Sequence, residues 1–522
     1  DSLFITDGSG WFKIATVNLS PSLSLGVSSI SLQSGGSVDI NYTITEPEDT
    51  PFTVTASGTS NASITVHQAN NTITFDNPTV ATSETITISA TDGVNTVADT
   101  LTMSITIGPD WSTTTQINEL DTAAAKPNVM SGYDVTIAGI YAAVGAPYYV
   151  TSGQTQGAVH IMKRHTSSPY WVGHYPKSFI KSTDTVAGQQ FGYAVSLTSD
   201  ISTSSFATSS PHWLIVGSPT INGSNGRIGI WRYNQPSNQW KHMQNIPNNT
   251  TGIAGYFGTA VNFDPSGERA FVGASLDNGN TGKVYVYKGS GNDASRSFSQ
   301  EAVLTASDGG TNDQFGNAIA SNQDGTILAV GAMFYDYDAT PQRKGGVYIF
   351  TRSGTTWTQR AILQASDGAQ NDYFGTSLDL NETGDTLVVG APFSDTGDRG
   401  KVYVFTGSGA SWTEISIIQP SDVTAGDMFG TSVAASENAF IASSREHAGT
   451  SSGNPTGAVY IFKVNENVES KKLISSNIED GDRFGWSVDM DGNKIIVGAR
   501  DHDDEHSLDP NIGNSYIFEA DD

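Results

Sequence analysis

Between residues 22 and 108, short runs alternate polar with apolar side chains: "SISLQ", "SVDINYTIT", "FTVTAS", "ASITVH", "TITISATD" and "DTLTMSITI". Alternation at period two marks a strand with one buried face, and turn residues fall about every 8–12 positions, as in a β-sandwich. Ahead of these runs, "DSLFITDGSGWFKIATVN" (1–18) reads as a hairpin turning at "DGSG". From residue 109 onward the apolar runs are rich in Val, Ile, Tyr and Thr and are set between Gly, Asn, Asp or Ser turns, again as strands should be. The pattern therefore predicts an all-β chain in three parts: a hairpin or linker over 1–20, a β-sandwich over 21–108, and a larger unit over 109–522.

The larger unit is repetitive. Phe-Gly recurs at Phe191-Gly192, Phe257-Gly258, Phe315-Gly316, Phe374-Gly375, Phe429-Gly430 and Phe484-Gly485, and a worn copy, "SGYDVTIAG", covers Ser131–Gly139. Seven copies follow one another 55 to 66 residues apart and run through the same series of apolar segments, which in the fifth copy are "FGTSLDL", "TLVVGAP", "GKVYVFT" and "WTEISIIQP". A stacked solenoid would also repeat, but a four-strand unit of nearly 60 residues fits the blade of a β-propeller better, so seven blades are expected. Phe can wedge between neighbouring sheets, and the Gly after it lets a neighbouring backbone approach closely. The seventh copy stops after "NSYIFEADD" without a fourth strand. "WSTTTQINELD" (Trp111–Asp121) precedes the first copy and places its Trp ten residues before an Asp, as does "WTEISIIQPSD" from Trp412. Residues 111–120 are therefore expected to complete the last blade, which leaves no open edge in the ring.

Composition narrows the partners. Lys plus Arg total 26 against 53 for Asp plus Glu, a formal net charge of −27. Such a chain repels nucleic acid and anionic lipid and favours cationic, neutral or metal-bridged partners. With no cysteine, disulfides, thiolate metal sites and cysteine nucleophiles are excluded. No run of 18 or more apolar residues exists, so no membrane insertion is expected. The chain opens at Asp1 with neither an initiator Met nor a signal-peptide pattern, as expected of a processed chain or a piece of a longer one.

The recurring motifs resemble the FG-GAP repeat, the unit of the integrin α-subunit propeller, over residues 111–522. In that family calcium sits in the turn between the first two strands, bound by a pattern like Asp-x-Asx-x-Asp-Gly-x-x-Asp. The corresponding turns here, "NFDPSGER", "SNQDGTI", "DLNETGDT" and "DMDGNK", do not supply the full set of oxygens. Asp379, Asn381 and Asp385 come nearest. No cofactor is required by this reading, and Ca2+ is the ion that the resemblance brings; a hard cation wants six or more oxygen ligands. Residues 21–108 resemble the cadherin-like or immunoglobulin-like modules found beside such propellers, without the cadherin calcium motifs. The "GSGW" hairpin, the Ig-like module and blades carrying "FTRSGTTWTQ" (350–359) are together similar to virion proteins of marine tailed phages, especially those infecting cyanobacteria.

In a four-strand blade, the loops entering the first strand share a face with the loops joining strands two and three. That face receives the long, acidic, varied loops, where binding function usually resides. Within it, "FYDYD" puts Tyr335 and Tyr337 beside Asp336 and Asp338, rings and carboxylates that suit a sugar; a plain surface loop is the simpler reading. Asp501, His502, Asp503, Asp504, Glu505, His506 and Asp509 form the densest set of ligand types, fit either for a transition metal or for simple solvation. "EPED" (46–49) divides between a metal corner and a solvated turn in the same way. Asp313, Asp372, Asp427 and Asp482 each stand two residues before the repeated Phe. Their recurrence argues for structure, with the carboxylate accepting amide bonds in the incoming turn, while Asp308 and Asp367 nearby keep a metal reading open. "GTSSG" (449–453) matches a nucleophile elbow but lies in a Ser/Gly-rich loop without the strand-to-helix turn.

The expectation drawn from these residues is a non-enzymatic protein, acting outside the cell as a fibre, whisker or decoration of a phage virion. Its partners would be other virion proteins, or a host surface glycan or receptor. A cell-surface adhesin of a marine microbe and a polysaccharide-acting enzyme are the alternatives, since fold alone does not decide function.

Overall fold

The structure, a computed structural model, describes residues 2–6, 11–16, 22–25, 29–33, 37–45, 53–57, 63–68, 71–76, 82–91, 95–106, 110–119, 128–151, 153–164, 171–173, 179–184, 186–198, 212–221, 225–234, 237, 239–248, 255–292, 295–336, 342–448, 455–464, 468–475, 477–503 and 511–521. The chain divides into two compact units, Asp1–Pro109 (with Asp522) and Asp110–Asp521.

In the first unit Ser2–Thr6 pairs antiparallel with Trp11–Thr16. Two four-stranded sheets follow. One runs Ser29–Gln33, Thr96–Thr106, Thr82–Thr91, Thr53–Ser57 and the other Ser22–Leu25, Ser37–Thr45, Thr72–Asp76, Ser63–His67. Ile40, Tyr42 and Ile73 of the second sheet form one core with Val54, Ile86, Ile88 and Ala90 of the first. "EPED" lies outside the described residues.

Among the described residues the second unit holds a two-stranded ribbon, Val150–Thr151 with Gln154–Thr155, and seven sheets of four or five strands, numbered here in chain order and given from first strand to last. Sheet 1 runs Val135–Ala138, Tyr141–Ala146, Ala158–Arg164, with Trp171–Gly173 and Phe179–Lys181 both on the third strand. Sheet 2 runs Val195–Leu197, Trp213–Ser218, Arg227–Asn234, Gln239–Pro247, and sheet 3 Val261–Phe263, Arg269–Ala274, Lys283–Ser290, Ser297–Leu304. Sheet 4 runs Phe315–Ser321, Ile327–Ala332, Gly346–Ser353, Thr356–Leu363, and sheet 5 Ser377–Leu380, Thr386–Ala391, Lys401–Ser408, Ser411–Ile418. Sheet 6 runs Phe429–Ala435, Ala439–Ser444, Ala458–Lys463, Glu469–Leu473. Sheet 7 takes Ser487–Asp491, Lys494–Ala499 and Asn514–Asp521 from the end of the chain and Asp110–Glu119 from far upstream. That last pairing is antiparallel, with Gln116 opposite Phe518 and Glu119 opposite Tyr516, so the segment led by Trp111 does lie alongside "SYIF".

Burial grades across each sheet. Second strands such as "TLVVGA" (Thr386–Ala391) are buried throughout, as β-branched runs covered on both faces should be. Outer strands such as Ser411–Ile418 alternate exposed and covered positions, one face meeting solvent. The core lies between sheets. Val388, Val402 and Val404 of sheet 5 pack on Phe429, Phe440 and Tyr460 of sheet 6, and a cluster of this kind fills every junction, including Val135, Ile137 and Val144 of sheet 1 against Ile496 and Ile517 of sheet 7. This all-β arrangement of small antiparallel sheets fits a β-propeller.

The repeated phrase holds these junctions. All six phenylalanines are at most 1 % exposed, and five meet a Tyr of their own sheet's third strand at 5.3 to 5.6 Å between centroids, four of them nearly edge-on and Phe484 tilted at 59° to Tyr516. Each Phe also bridges, in parallel, the Gly that opens the third strand of the preceding sheet, as Phe429 does with Gly400. At the seventh junction Ser131 stands in the Phe position, its N–H donating to the carbonyl of Ile512 at 2.9 Å. The glycines permit the approach: a Cβ on Gly390 would come 2.0 Å from the carbonyl oxygen of Gly430, which itself has φ +87°.

Candidate functional site

The first strand of each sheet is an edge strand, and its inner N–H groups need partners other than a ladder. Short polar side chains on the neighbouring first strand supply them. Val195 N–H donates to Asp134 (2.7 Å) and Leu197 N–H to Thr136 (3.3 Å), joining sheets 1 and 2; Phe263 N–H donates to Ser196 (3.1 Å) at the next junction. Ser321 bonds Asn262 (2.7 Å), and Asn317 Nδ2 donates to the carbonyls of Gly375 and Thr376 (3.0 and 3.1 Å). Ala435 N–H donates to Asp379 (2.8 Å) and Val488 N–H to Ser432 (3.1 Å). Between sheets 7 and 1, Val135, Ile137 and Gly139 donate to Ser487, Asp489 and Asp491 at 3.2, 2.8 and 2.5 Å. These strands enclose a cavity of about 420 Å³, lined by residues from all seven sheets.

Three carboxyl groups face it. Burial pushes Asp134 up to about 6, Asp379 to about 7 and Asp489 to about 8, the neighbouring Asp379 adding to the last. Backbone N–H bonds oppose the shift in each case without cancelling it.

At one end of the cavity stand Tyr133, Tyr193 and Trp486, ring centroids 4.9 Å (Tyr133–Tyr193) and 5.9 Å (Tyr133–Trp486) apart, with Tyr148 6.4 Å from Tyr133. The guanidinium of Arg500 lies 3.2 Å from the centre of the Trp486 ring and that of Arg445 4.4 Å from it, cation–π distances. A third arginine, Arg483, pairs with Glu446 (2.9 Å) and Asp501 (2.8 Å), and Arg500 shares Asp501 at 3.2 Å. Burial lowers the pKa of Arg445, with Arg500 and Arg483 adding to the effect against Glu446. Sequence reasoning did not single out this cluster, though a signal was available. At the position after Phe-Gly most copies carry Thr or Asn (Thr259, Asn317, Thr376, Thr431), whereas Tyr193 and Trp486 break the rule, and Tyr133 does so in the worn copy. Arg445 and Arg500 likewise replace the Pro, Ser or Met that follows the second strand elsewhere.

The four acids before Phe are turn anchors, as the recurrence argues. Asp313, Asp372, Asp427 and Asp482 accept the N–H of Gly310, Ala369, Thr424 and Glu479 at 2.6 to 2.8 Å. Asp308, Asp367 and Asp422 accept the hydroxyls of Tyr348, Tyr403 and Tyr460. The incoming loop of one sheet and the second-to-third-strand loop of the preceding sheet do share a face: Asn371 N–H donates to Gln342 O at 2.7 Å, and Gly426 N–H to Gly397 O at 2.7 Å.

Other expectations need correction. Tyr335 is 6 % exposed, not displayed on the loop face. Its ring packs on Tyr348 (5.6 Å) and its hydroxyl donates to Asp308 at 2.6 Å, because the chain turns inward directly after the second strand. Asp336 accepts the N–H groups of Gln342 and Arg343 and so ties its own loop together. Tyr337 and Asp338 lie outside the described residues, as do Asp504, Glu505, His506, Asp509 and all of "GTSSG" (449–453). Asp501 and His502 are buried and paired with arginines and with Asp482 (2.7 Å), and Asp503 accepts the N–H of Asn511 (2.5 Å). In the calcium-like turn the Asp379 oxygens accept the N–H groups of Ala435 and Leu380, while Asn381 Oδ1 accepts those of Gly384, Asp385 and Thr386. Asp385 in turn accepts from Asn381 Nδ2 (2.8 Å). The hairpin is thus held by its own amides, and among the described residues no three His, Asp or Glu side chains form a group fit for a metal ion.

Residues 298–350, 357–405, 412–462 and 468–518 match the model of the FG-GAP repeat. Four FG-GAP repeats lie in this chain. Each FG-GAP match starts in, or one residue before, the outer strand of one sheet and ends in the third strand of the next, so the repeat in sequence straddles the junction that Phe fills. Solved structures with similarity include the RRP9 WD40 repeats, 11% identical over 78% of this chain and 98% of that one with a TM-score of 0.43. A putative 6-phosphogluconolactonase from Bacteroides uniformis is 11% identical over 69% of this chain and 89% of its own, with a TM-score of 0.42.

Proposed function

We propose that this chain is a non-enzymatic binding protein, a seven-bladed FG-GAP propeller whose last blade is completed by residues 110–119, preceded by an immunoglobulin- or cadherin-like sandwich. Its loop face takes a glycan or receptor outside the cell. The setting that its sequence resemblance favours is the virion of a marine tailed phage, as a fibre, whisker or decoration. One observation carries the reading: on the face that gathers the loops, the cavity opens through an aromatic and arginine mouth, while the acids that recur around that face are already bonded to backbone. Residues that a scaffold needs for itself are thereby separated from residues that it can offer.

A polysaccharide-acting enzyme has one observation in its favour, the raised pKa values of Asp134, Asp379 and Asp489 around one cavity. The same carboxyl groups join adjacent sheets, which accounts for their placement without chemistry. A glycan array read with and without calcium tests the binding reading, and incubation of any retained glycan with the protein tests the other. Retention of an intact glycan supports a binder. Shortened or unsaturated products would overturn it in favour of an enzyme, and no retention at all would remove the glycan as partner.

A further inference from the structure

We propose that the mouth formed by Arg445, Arg500, Trp486, Tyr133 and Tyr193 binds a single carboxylate-bearing sugar unit within an otherwise neutral glycan. The inference rests on the reading that the loop face takes a glycan, and it names the chemistry recognised there.

Three guanidinium groups gather in this mouth against two carboxylates, Glu446 and Asp501. Arg483 has both. Arg500 reaches Asp501 through Nε alone, and its two Nη groups have no hydrogen-bond partner among the described residues. Arg445 is 3.6 Å from Glu446, and its remaining polar contact is Nη2 to the sulfur of Met428, also at 3.6 Å. Its Nε is buried without a hydrogen bond. These side chains are about four-fifths covered, with exposures of 21% and 18%. Covering a cation without filling its donors is unfavourable, and a planar oxyanion offering two acceptors relieves it. Trp486 holds both guanidiniums in place before any ligand arrives, which lowers the ordering cost of binding.

The rest of the site favours a sugar. Tyr133 and Tyr193 lie beside the arginines, and aromatic rings next to a charged fork suit a sugar ring that carries a carboxylate. Net charge limits the ligand further. A protein at −27 repels a polyanion along its whole length, so one charge placed at the arginines is favoured over many.

Calorimetric titration of the full chain with methyl glucuronide, its neutral uronamide, acetate, a persulfated oligosaccharide and a Glu-rich peptide tests the proposal. The uronide is expected to bind saturably and the uronamide roughly tenfold or more weakly, with a similar loss in Arg500→Gln. Arg500→Lys, which keeps the charge but not the fork, should lose less, and Tyr193→Ala should weaken the uronide but not acetate. The thermal midpoint of each variant checks its fold. Equal affinity for uronide and uronamide, with Arg445→Gln and Arg500→Gln both silent, would overturn the carboxylate inference and leave glycan binding standing. Acetate or the persulfated sugar binding as tightly as the uronide would also overturn it. Binding of the peptide alone would overturn both readings.

Discussion

The carboxylate of Asp489 accepts the N–H of Ile137 at 2.8 Å across 352 positions of chain. With Ser487 on Val135 and Asp491 on Gly139, it joins the first strand of sheet 7 to that of sheet 1. Removing the acceptor leaves an edge-strand N–H unpaired in a covered site. Asp489→Ala is expected to lower stability by about 1–3 kcal/mol, read from urea denaturation. A midpoint equal to the parent's would show that water replaces the bond fully.

The same groups set the sign of the pH dependence. Burial holds Asp134, Asp379 and Asp489 at about 6, 7 and 8, against roughly 3.9 in an unfolded chain. The folded state therefore binds more protons between these limits, and the stability from these groups, complete below about pH 4, falls as pH rises toward 8. Asp427 runs the other way. Burial raises it, but its bonds to His447 and Thr424 prevail and hold it low, so its contribution is lost on acidification. The thermal midpoint is expected to peak at about pH 4–6 and decline to pH 8, with Asp379→Asn flattening the decline. A midpoint climbing steadily from pH 5 to pH 8 would refute this.

Tyr335 acts on stability, not on ligand contact. Tyr335→Ala empties a buried ring site beside Tyr348 and should cost about 3–5 kcal/mol. Tyr335→Phe removes one of two hydroxyls on Asp308 and should cost about 1 kcal/mol. Glycan affinity of the folded Tyr335→Phe protein should equal that of the parent; a selective loss of affinity would restore a ligand role to this side chain.

The residue before each Phe-Gly is left-handed without being glycine: Gln190, Tyr256, Gln314, Tyr373, Met428 and Arg483 have φ between 52° and 59°, and Met130 of the worn copy has φ 54°. Gln314→Gly should change stability by less than about 1 kcal/mol, since lost strain offsets gained chain entropy. Gln314→Ile should be clearly destabilising, because a β-branched side chain is strongly disfavoured there. Denaturation midpoints of the pair, compared at one pH, check the order.

A chain starting at residue 110 keeps the second unit whole and is expected to remain monodisperse on size exclusion. A chain starting at residue 120 leaves Asn514–Asp521 as an uncovered edge strand and should aggregate or unfold at lower temperature. Equal behaviour of the two would show that the added strand is dispensable.

The repeat made much of this fold legible. Phe at fixed spacing, followed by Gly and then by an apolar run ending in small residues, states the same local problem in copy after copy. Each copy solves it alike, since Phe315, Phe374, Phe429 and Phe484 fill equivalent gaps. The roles of Asp313, Asp372, Asp427 and Asp482 were equally readable, because recurrence separates a structural residue from one used once. Tyr335 was not readable: its loop is acidic and polar around it, and only the turn after the second strand brings its ring inside.

Position in the repeat was determined by sequence alone; proximity between copies was not. That Arg500 and Arg445 meet on Trp486, or that Asp379 lies near enough to Asp489 to raise its proton affinity, depends on how far each sheet is rotated from the last. Spacing along the chain carries no record of that angle. It follows from Phe, Gly and the valines packing between sheets, an interaction of surfaces that no single copy contains.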